Sequence, residues 1–236
     1  MAIMIIIILI VQSSKYHHTK NKEACLSLTF DDMLESHYTT VYPLLREKNF
    51  GATFFIFANI TEDPDKLNRK LMNREQIQEL ADIGFEIGSH TLTHPILTEL
   101  NEEQIEKEIK ESKKILEENY NIDVYSIAFP YSQYDSKVIE IAKKYYINGR
   151  TIYNIKPEGF LINSLALKED TSSKIICEYI NYAEKENLWL VLIFHDIIET
   201  PKKWDISSQN FKEILECVEN SKIKVESLIS CKNKLN

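Results

Sequence analysis

The feature that most limits the fold of this chain is an alternation of two kinds of segment from residue 23 onward. Short runs rich in β-branched and aromatic residues read as strands: Cys25–Phe30, Ala52–Ala58, Phe85–Gly88, Tyr125–Phe129, Ile147–Ile152, Leu161–Leu165, Trp189–Phe194 and Lys224–Ile229. Most of these runs lack strict polar–apolar alternation, as expected of strands covered on both faces. Between them, amphipathic stretches read as helices at Tyr38–Lys48, Arg74–Ile83, Glu102–Glu118, Ser136–Tyr146, Ser173–Glu186 and Gln209–Asn220. No linker, low-complexity tract or internal repeat interrupts the series. The chain is therefore expected to be a single α/β domain, a parallel sheet with helices outside it. Eight strands suit a (β/α) barrel, and six helices for those strands suggest a distorted or incomplete one.

The third helix shows the local logic. Asn101 is placed to cap it, with Gln104 as the capping-box partner. Ile105, Ile109, Ile115 and Leu116 keep near-helical spacing, and the Glu and Lys residues between them read as a solvated outer face without a functional role.

Composition excludes more than it names. Lys and Arg total 28 against 36 Asp and Glu, a formal charge of −8. That offers no electrostatic footprint for a phosphate backbone, so no nucleic-acid partner is expected. Average glycine usage would give about 16 residues in a chain of this length; only 5 occur. Neither G-x-G-x-x-G nor G-x-x-x-x-G-K-[ST] is present, which removes the common nucleotide cradles. The four cysteines, Cys25, Cys177, Cys217 and Cys231, are far apart and form no C-x-x-C pair. Their apolar and helical settings read as buried or half-buried free thiols, with disulfide or metal roles as the lesser alternative.

Residues 2–11 form an unbroken apolar run. Spanning a bilayer takes about 20 residues, so the run is too short for that. Its length suits a signal-peptide core, although no Lys or Arg precedes it and no A-x-A site follows. Residues 1–22 are thus set apart as a signal or anchor candidate from a catalytic domain at 23–236. The resulting expectation is an extracytoplasmic or cell-surface protein that meets membrane only through this segment. A buried strand or a mis-assigned start, with a cytoplasmic location, is the alternative.

In a parallel barrel, functional groups gather where strands end. Thr29-Phe30-Asp31-Asp32 follows the first strand, and Ser89-His90-Thr91-Leu92-Thr93-His94-Pro95 the third. Pro130-Tyr131-Ser132 follows the fourth, and His195-Asp196 the seventh. His90 and His94 are four apart, so one helical turn would bring both imidazoles to one side. With one carboxylate they make a two-His, one-Asp set suited to zinc or another first-row divalent metal. Adjacent carboxylates can then divide the labour, one binding metal and the other facing its water.

Taken together, Thr29–Asp32, Ser89–His94, Phe129–Ser132 and Leu192–Asp196 resemble the successive motifs of the NodB-type polysaccharide deacetylases, carbohydrate esterase family 4. The resemblance covers about residues 25 to 230 and implies the distorted (β/α) barrel of the NodB homology fold. It implies that Asp31 is the general base and Asp32, His90 and His94 the metal ligands. His195 would be the general acid, and the Tyr131 N–H a donor to the oxyanion. Ile193 would line the acetyl pocket, beside Pro130. The implied cofactor is a divalent ion, zinc foremost, with cobalt, nickel, manganese or iron as alternatives. The implied partner is a carbohydrate bearing N-acetylated amino sugar.

Three departures from the family pattern stand out. Its third motif usually begins with an arginine that steadies the catalytic aspartate, and Ala128 holds that place here. The closing glycine of that motif is Ser132, and the fourth motif, an Asp followed by a Trp, is not recognisable. Arg150, on the fifth strand candidate, is a substitute expected to point into the barrel mouth and pair with Asp31, because burying it unpaired would be costly. Trp204 is a candidate wall for a sugar subsite, and Asp196 either orients His195 or caps the following loop. The leading expectation is metal-dependent removal of N-acetyl groups from an amino-sugar glycan. The same site could instead deacylate another amide or an O-acetyl ester, and a catalytically silent carbohydrate-binding barrel is the third reading.

Overall fold

The apolar runs at Cys25–Phe30 and Trp189–Phe194 pair with each other along their whole length, from Cys25↔Trp189 to Phe30↔Phe194, and so close the sheet on itself. The computed structural model describes residues 23–59, 69–152 and 159–235. Seven parallel strands make the barrel: β1 (Cys25–Phe30), β2 (Ala52–Ile56), β3 (Glu86–Ser89), β4 (Ser126–Ala128), β5 (Asn148–Ile152), β6 (Leu161–Ala166) and β7 (Trp189–Phe194). Each pairs with the next, and β7 returns to β1. The join is thinnest between β3 and β4, where Ser89↔Ile127 is the registered pair. The barrel is thus distorted, but it is closed.

Alternation along β1 explains the layering. Leu26, Leu28 and Phe30 are fully buried in the main core under the helices, so Ser27, Thr29 and Asp31 turn toward the barrel interior. Phe55, Ala128, Ile162 and Val191 fill that interior together with Leu228. The outer helices are α1 (Tyr42–Lys48, after a π-helical turn at His37–Val41), α2 (Arg74–Asp82), α3 (Glu102–Tyr120), α4 (Ser136–Ala142), α5 (Ser173–Glu186), α6 (Ser208–Glu219) and α7 (Leu228–Leu235). The α3 capping box is formed, with Gln104 N donating to Asn101 Oδ1 at 3.0 Å and Asn101 N to Gln104 Oε1 at 3.1 Å.

Scarcity of glycine shows at the helix ends. α1, α3 and α5 stop at Asn49, Asn121 and Asn187, all left-handed with φ of 53°, 51° and 53°. Glycine usually takes this position, and Asn is the side chain that best tolerates it.

Two expectations need correcting. The segment Lys224–Ile229 is not an eighth barrel strand. After the two-residue pairs β8 (Ile197–Ile198) and β9 (Ile206–Ser207), the chain adds only β10 (Lys224–Val225) beside the start of β1 and then turns into α7. Ser227 Oγ accepts the Ser230 N–H at 3.3 Å, while Thr53 Oγ1 and Glu86 Oε2 take the Leu228 and Ile229 amides at 2.9 and 3.0 Å. With its first amides satisfied in this way, helix wins over strand.

The cysteines are also not free thiols. Cys25 bonds Cys231, and Cys177 on α5 bonds Cys217 on α6, with Cα separations of 6.0 and 5.6 Å. Each partner arrives from a distant stretch of chain, so sequence spacing carried no sign of the pairing. The apolar segment 1–22 lies outside the described residues. Among those described, no helix is long and apolar enough to cross a membrane.

Candidate metal and catalytic site

The rim at the C-terminal ends of the strands is built from backbone that most side chains avoid. Asp32, Met33, Thr91, His94, Tyr131 and Ser132 all have positive φ, between 46° and 71°. A β-branched residue such as Thr91 is strained there, and such strain persists only where surrounding contacts enforce it. The enforcing contacts are visible. Ser89 Oγ accepts from Thr91 N and Thr91 Oγ1 from His94 N, each at 3.1 Å. Glu108, on the charged face of α3, reaches over the same loop. Its Oε2 accepts Leu92 N at 3.0 Å and Thr93 N at 2.9 Å, and its Oε1 accepts Thr93 Oγ1 at 2.7 Å. This glutamate was not separable in sequence from its solvated neighbours.

The result is a compact donor set. Asp32 Oδ1 lies 3.4 Å from His90 Nε2 and 3.5 Å from His94 Nε2, and the two imidazole nitrogens are 3.2 Å apart. All three residues are buried. Three donors around a tetrahedral zinc, with bonds near 2.0–2.1 Å, stand about 3.3 Å apart. The triangle therefore fits a small first-row divalent ion in both size and chemistry. His90 Nδ1 donates to Ala128 O at 2.9 Å, so the neutral ring would turn the lone pair of Nε2 to an ion bound in place of the Asp32 contact. Although burial opposes it, the His90 hydrogen bond and the charges of His195, His90 and His94 hold Asp32 well below the usual carboxylate range. Burial also pulls on His90, but its bond to Asp32 and the charges of both aspartates raise it.

The neighbouring carboxylate, Asp31, faces a different partner. Ala128 and Arg150 are register neighbours on β4 and β5. The methyl side chain of Ala128 leaves room for Arg150, only 2% exposed, to lie along the interior with its guanidinium 5.0 Å over the Phe55 ring. From there Arg150 Nη2 donates to Asp31 Oδ2 at 2.5 Å. Phe55 in turn needs Gly88, where a Cβ would meet its ring at 2.5 Å. Asp31 Oδ1 is buried and has no hydrogen-bond partner.

A second arginine, with no mark in its sequence surroundings to select it, serves Asp32. Arg69 Nη1 contacts Asp32 Oδ2 at 3.1 Å. It is delivered by a bridge between Leu34 and Leu71, where Glu35 N donates to Lys70 O and Met72 N to Met33 O, both at 2.8 Å.

His195 stands after β7 with its Nδ1 buried and unpartnered and its ring 6.1 Å from that of Trp204. Its loop is clamped from the first helical turn. His37 Nε2 donates to His195 O at 2.8 Å and Ser36 Oγ to Asp196 Oδ1 at 2.6 Å. Asp196 also accepts the Ile197 N–H at 3.1 Å, so it caps the loop. Burial pushes His37 down to about 4, which keeps it neutral in this role.

The remaining selected residues frame the mouth. Tyr131 is half-exposed at 51% and lays its ring 4.8 Å from that of His94. Pro130 beside it is buried. Ile193 is fully buried and shares the inward side of β7 with Val191. Trp204 is 43% exposed, with Lys168 Nζ 4.4 Å over its ring.

Comparison with known proteins identifies the family and the fold. The family model for polysaccharide deacetylase matches residues 18–149, more than half of the chain. The chain is 26% identical over 188 residues to poly-beta-1,6-N-acetyl-D-glucosamine N-deacetylase of Staphylococcus epidermidis, covering 75% of this chain and 58% of that protein. It is 25% identical over 220 residues to chitin deacetylase 1 of Cryptococcus neoformans, covering 88% and 43%. It therefore spans about half the length of these curated relatives. The crystal structure of the Xyl-CE4 domain of a multidomain xylanase, from the hindgut metagenome of Trinervitermes trinervoides, superposes with a TM-score of 0.62. That match is at 19% identity over 90% of this chain and 91% of the domain, and supports the fold. The closed seven-stranded barrel, the motif order and the family match together make this chain a member of the polysaccharide deacetylase family.

Proposed function

We propose that the protein is a metal-dependent deacetylase that hydrolyses N-acetyl groups on an amino-sugar glycan and releases acetate. The observation that carries this reading is the split of duties within one aspartate pair. Asp32 joins two histidines, while Asp31, anchored through one oxygen by Arg150, leaves its other oxygen bare beside them. Asp32, His90 and His94 would hold the ion, zinc foremost, which when bound supplies a Lewis acid for the amide carbonyl and acidifies a water.

The chain's own residues supply the rest. Asp31 Oδ1 takes the proton of the attacking water, and Arg150 holds that carboxylate in place through its other oxygen. The Tyr131 N–H donates to the developing oxyanion, a contribution of about 3 kcal/mol for one such donor. His195 gives a proton to the leaving amine nitrogen, the general-acid task for which imidazole is the commonest side chain. Ile193 packs against the acetyl methyl, and Pro130 and Trp204 border the sugar. The names of the two curated relatives support an N-acetylglucosamine polymer as substrate, and the charge of −8 favours a neutral or cationic glycan. Two disulfides favour an oxidising, extracytoplasmic or cell-surface setting.

The test is acetate release from N-acetylated oligosaccharides and from acetyl esters, with and without a chelator. Chelator-sensitive release from the amides is expected. Release from esters alone would shift the substrate to O-acetyl groups. The unpartnered Nδ1 of His195 favours a second reading, a silent glycan-binding barrel; absence of acetate from every substrate would select it.

A further inference from the structure

Asp31 and Asp32 each carry an arginine, but the two pairs differ in what they leave over. Arg150 leaves Asp31 a bare oxygen. Arg69 takes the oxygen of Asp32 that does not face the imidazoles: Oδ1 looks at His90 and His94, and Oδ2 at Arg69. Main-chain hydrogen bonds on both sides of Leu71 fix the Arg69 segment against Met33 and Glu35, immediately after Asp32. The Arg69 side chain is only 13% exposed. It is held in place rather than sampling solvent.

We infer that Arg69 is a positioning residue that sets which cation the site accepts: by occupying Oδ2 it confines Asp32 to a single ligand oxygen. The inference rests on the metal site proposed above. Zinc is content with four ligands and one oxygen from a carboxylate. Larger, harder cations draw on more oxygens and readily take both from one carboxylate. An Asp32 whose second oxygen is already committed therefore suits zinc or cobalt and handicaps manganese or calcium. Arg69 also places a positive charge near the ion, which weakens binding of every divalent cation alike. The ratio of two affinities cancels that common part and isolates the effect on ligand number.

The experiment measures zinc and manganese dissociation constants of the full chain by competition with a chromophoric chelator. Wild type is expected to prefer zinc strongly. Arg69→Met should bind manganese disproportionately better and narrow the preference by about tenfold, the scale of effects from groups just behind metal ligands. Arg69→Lys, which keeps a cation against Oδ2, should retain most of the preference. Both affinities rising together in Arg69→Met with an unchanged ratio would overturn the inference and leave Arg69 as a bulk charge. Wild type that binds no zinc would overturn the metal site itself. A measurement on wild type alone covers a variant that fails to fold: its zinc dissociation constant should lie well below that for manganese, and equal affinities for the two ions would refute the assignment.

Discussion

Buried carboxylates stand at both ends of this barrel, and the two ends handle them in opposite ways. At the base, Glu86 accepts from Ser126 Oγ at 2.5 Å, Thr53 Oγ1 at 2.8 Å and the Ile229 amide at 3.0 Å. Burial raises its acid against the pull of those bonds. At the rim, Asp31 has one oxygen on Arg150 and one bare, and Asp32 is shared between two imidazoles and Arg69. The base surrounds its carboxylate with donors of the fold, which joins α7 to the sheet. The rim leaves acceptors open to something from outside, at the expense of strained loops that need Glu108 and Ser89 to hold them. Glu86 has its acceptors filled by donors of the fold, whereas Asp31 keeps one buried oxygen without a partner.

That contrast can be broken in order of expected effect. Asp31→Asn should lower kcat by about a hundred- to ten-thousand-fold per folded molecule, with metal content near wild type and stability reduced, because the buried Arg150 loses its counter-charge. Near-full activity in acetate-release assays would remove Asp31 as the base. Arg150→Met should cost about 3–5 kcal/mol in denaturant unfolding, since it strands a buried carboxylate. A change within error of zero would show that the Arg150–Asp31 pair does not matter to the fold. Glu86→Gln should cost about 1–3 kcal/mol and leave kcat per folded molecule unchanged. Its pH dependence has a definite sign. A carboxyl raised in the folded state holds its proton longer there than in the unfolded chain. Glu86 thus stabilises most below its ordinary value of 4.5 and loses that contribution as pH climbs past it. The deficit of Glu86→Gln should be largest in acid and shrink toward neutrality; a deficit that grows with pH would contradict the assignment.

Much of the barrel was legible because its strands are apolar on both faces. β1 and β7 lie where their β-branched and aromatic runs begin and end, and α3 starts at its capping box. The C-terminus departs from its pattern because Lys224–Ile229 is apolar enough for a strand, while its helical fate depends on Thr53 and Glu86, far away in sequence. The site divides along the same line. Asp31, Asp32, His90, His94 and His195 sit at strand ends and could be found by spacing. Arg150 could be found because a lone arginine on an interior strand needs a partner. Arg69 and Glu108 could not, because their placement depends on the fold: one arrives by a bridge between Leu34 and Leu71, the other from α3 across the Leu92–Thr93 loop. The disulfides were hidden for the same reason.

The Cys25–Cys231 bond has a consequence for how the protein survives its surroundings. The bridge spans 206 positions of sequence and encloses every residue of the rim. A single backbone cut anywhere between those cysteines opens a covalent ring without dividing the molecule into separable pieces. Surface loops are where proteases cut first, and with the ends joined, a nicked loop need not release the strand beyond it. For a chain that builds its working edge from long connections, this amounts to tolerance of proteolysis written into its topology.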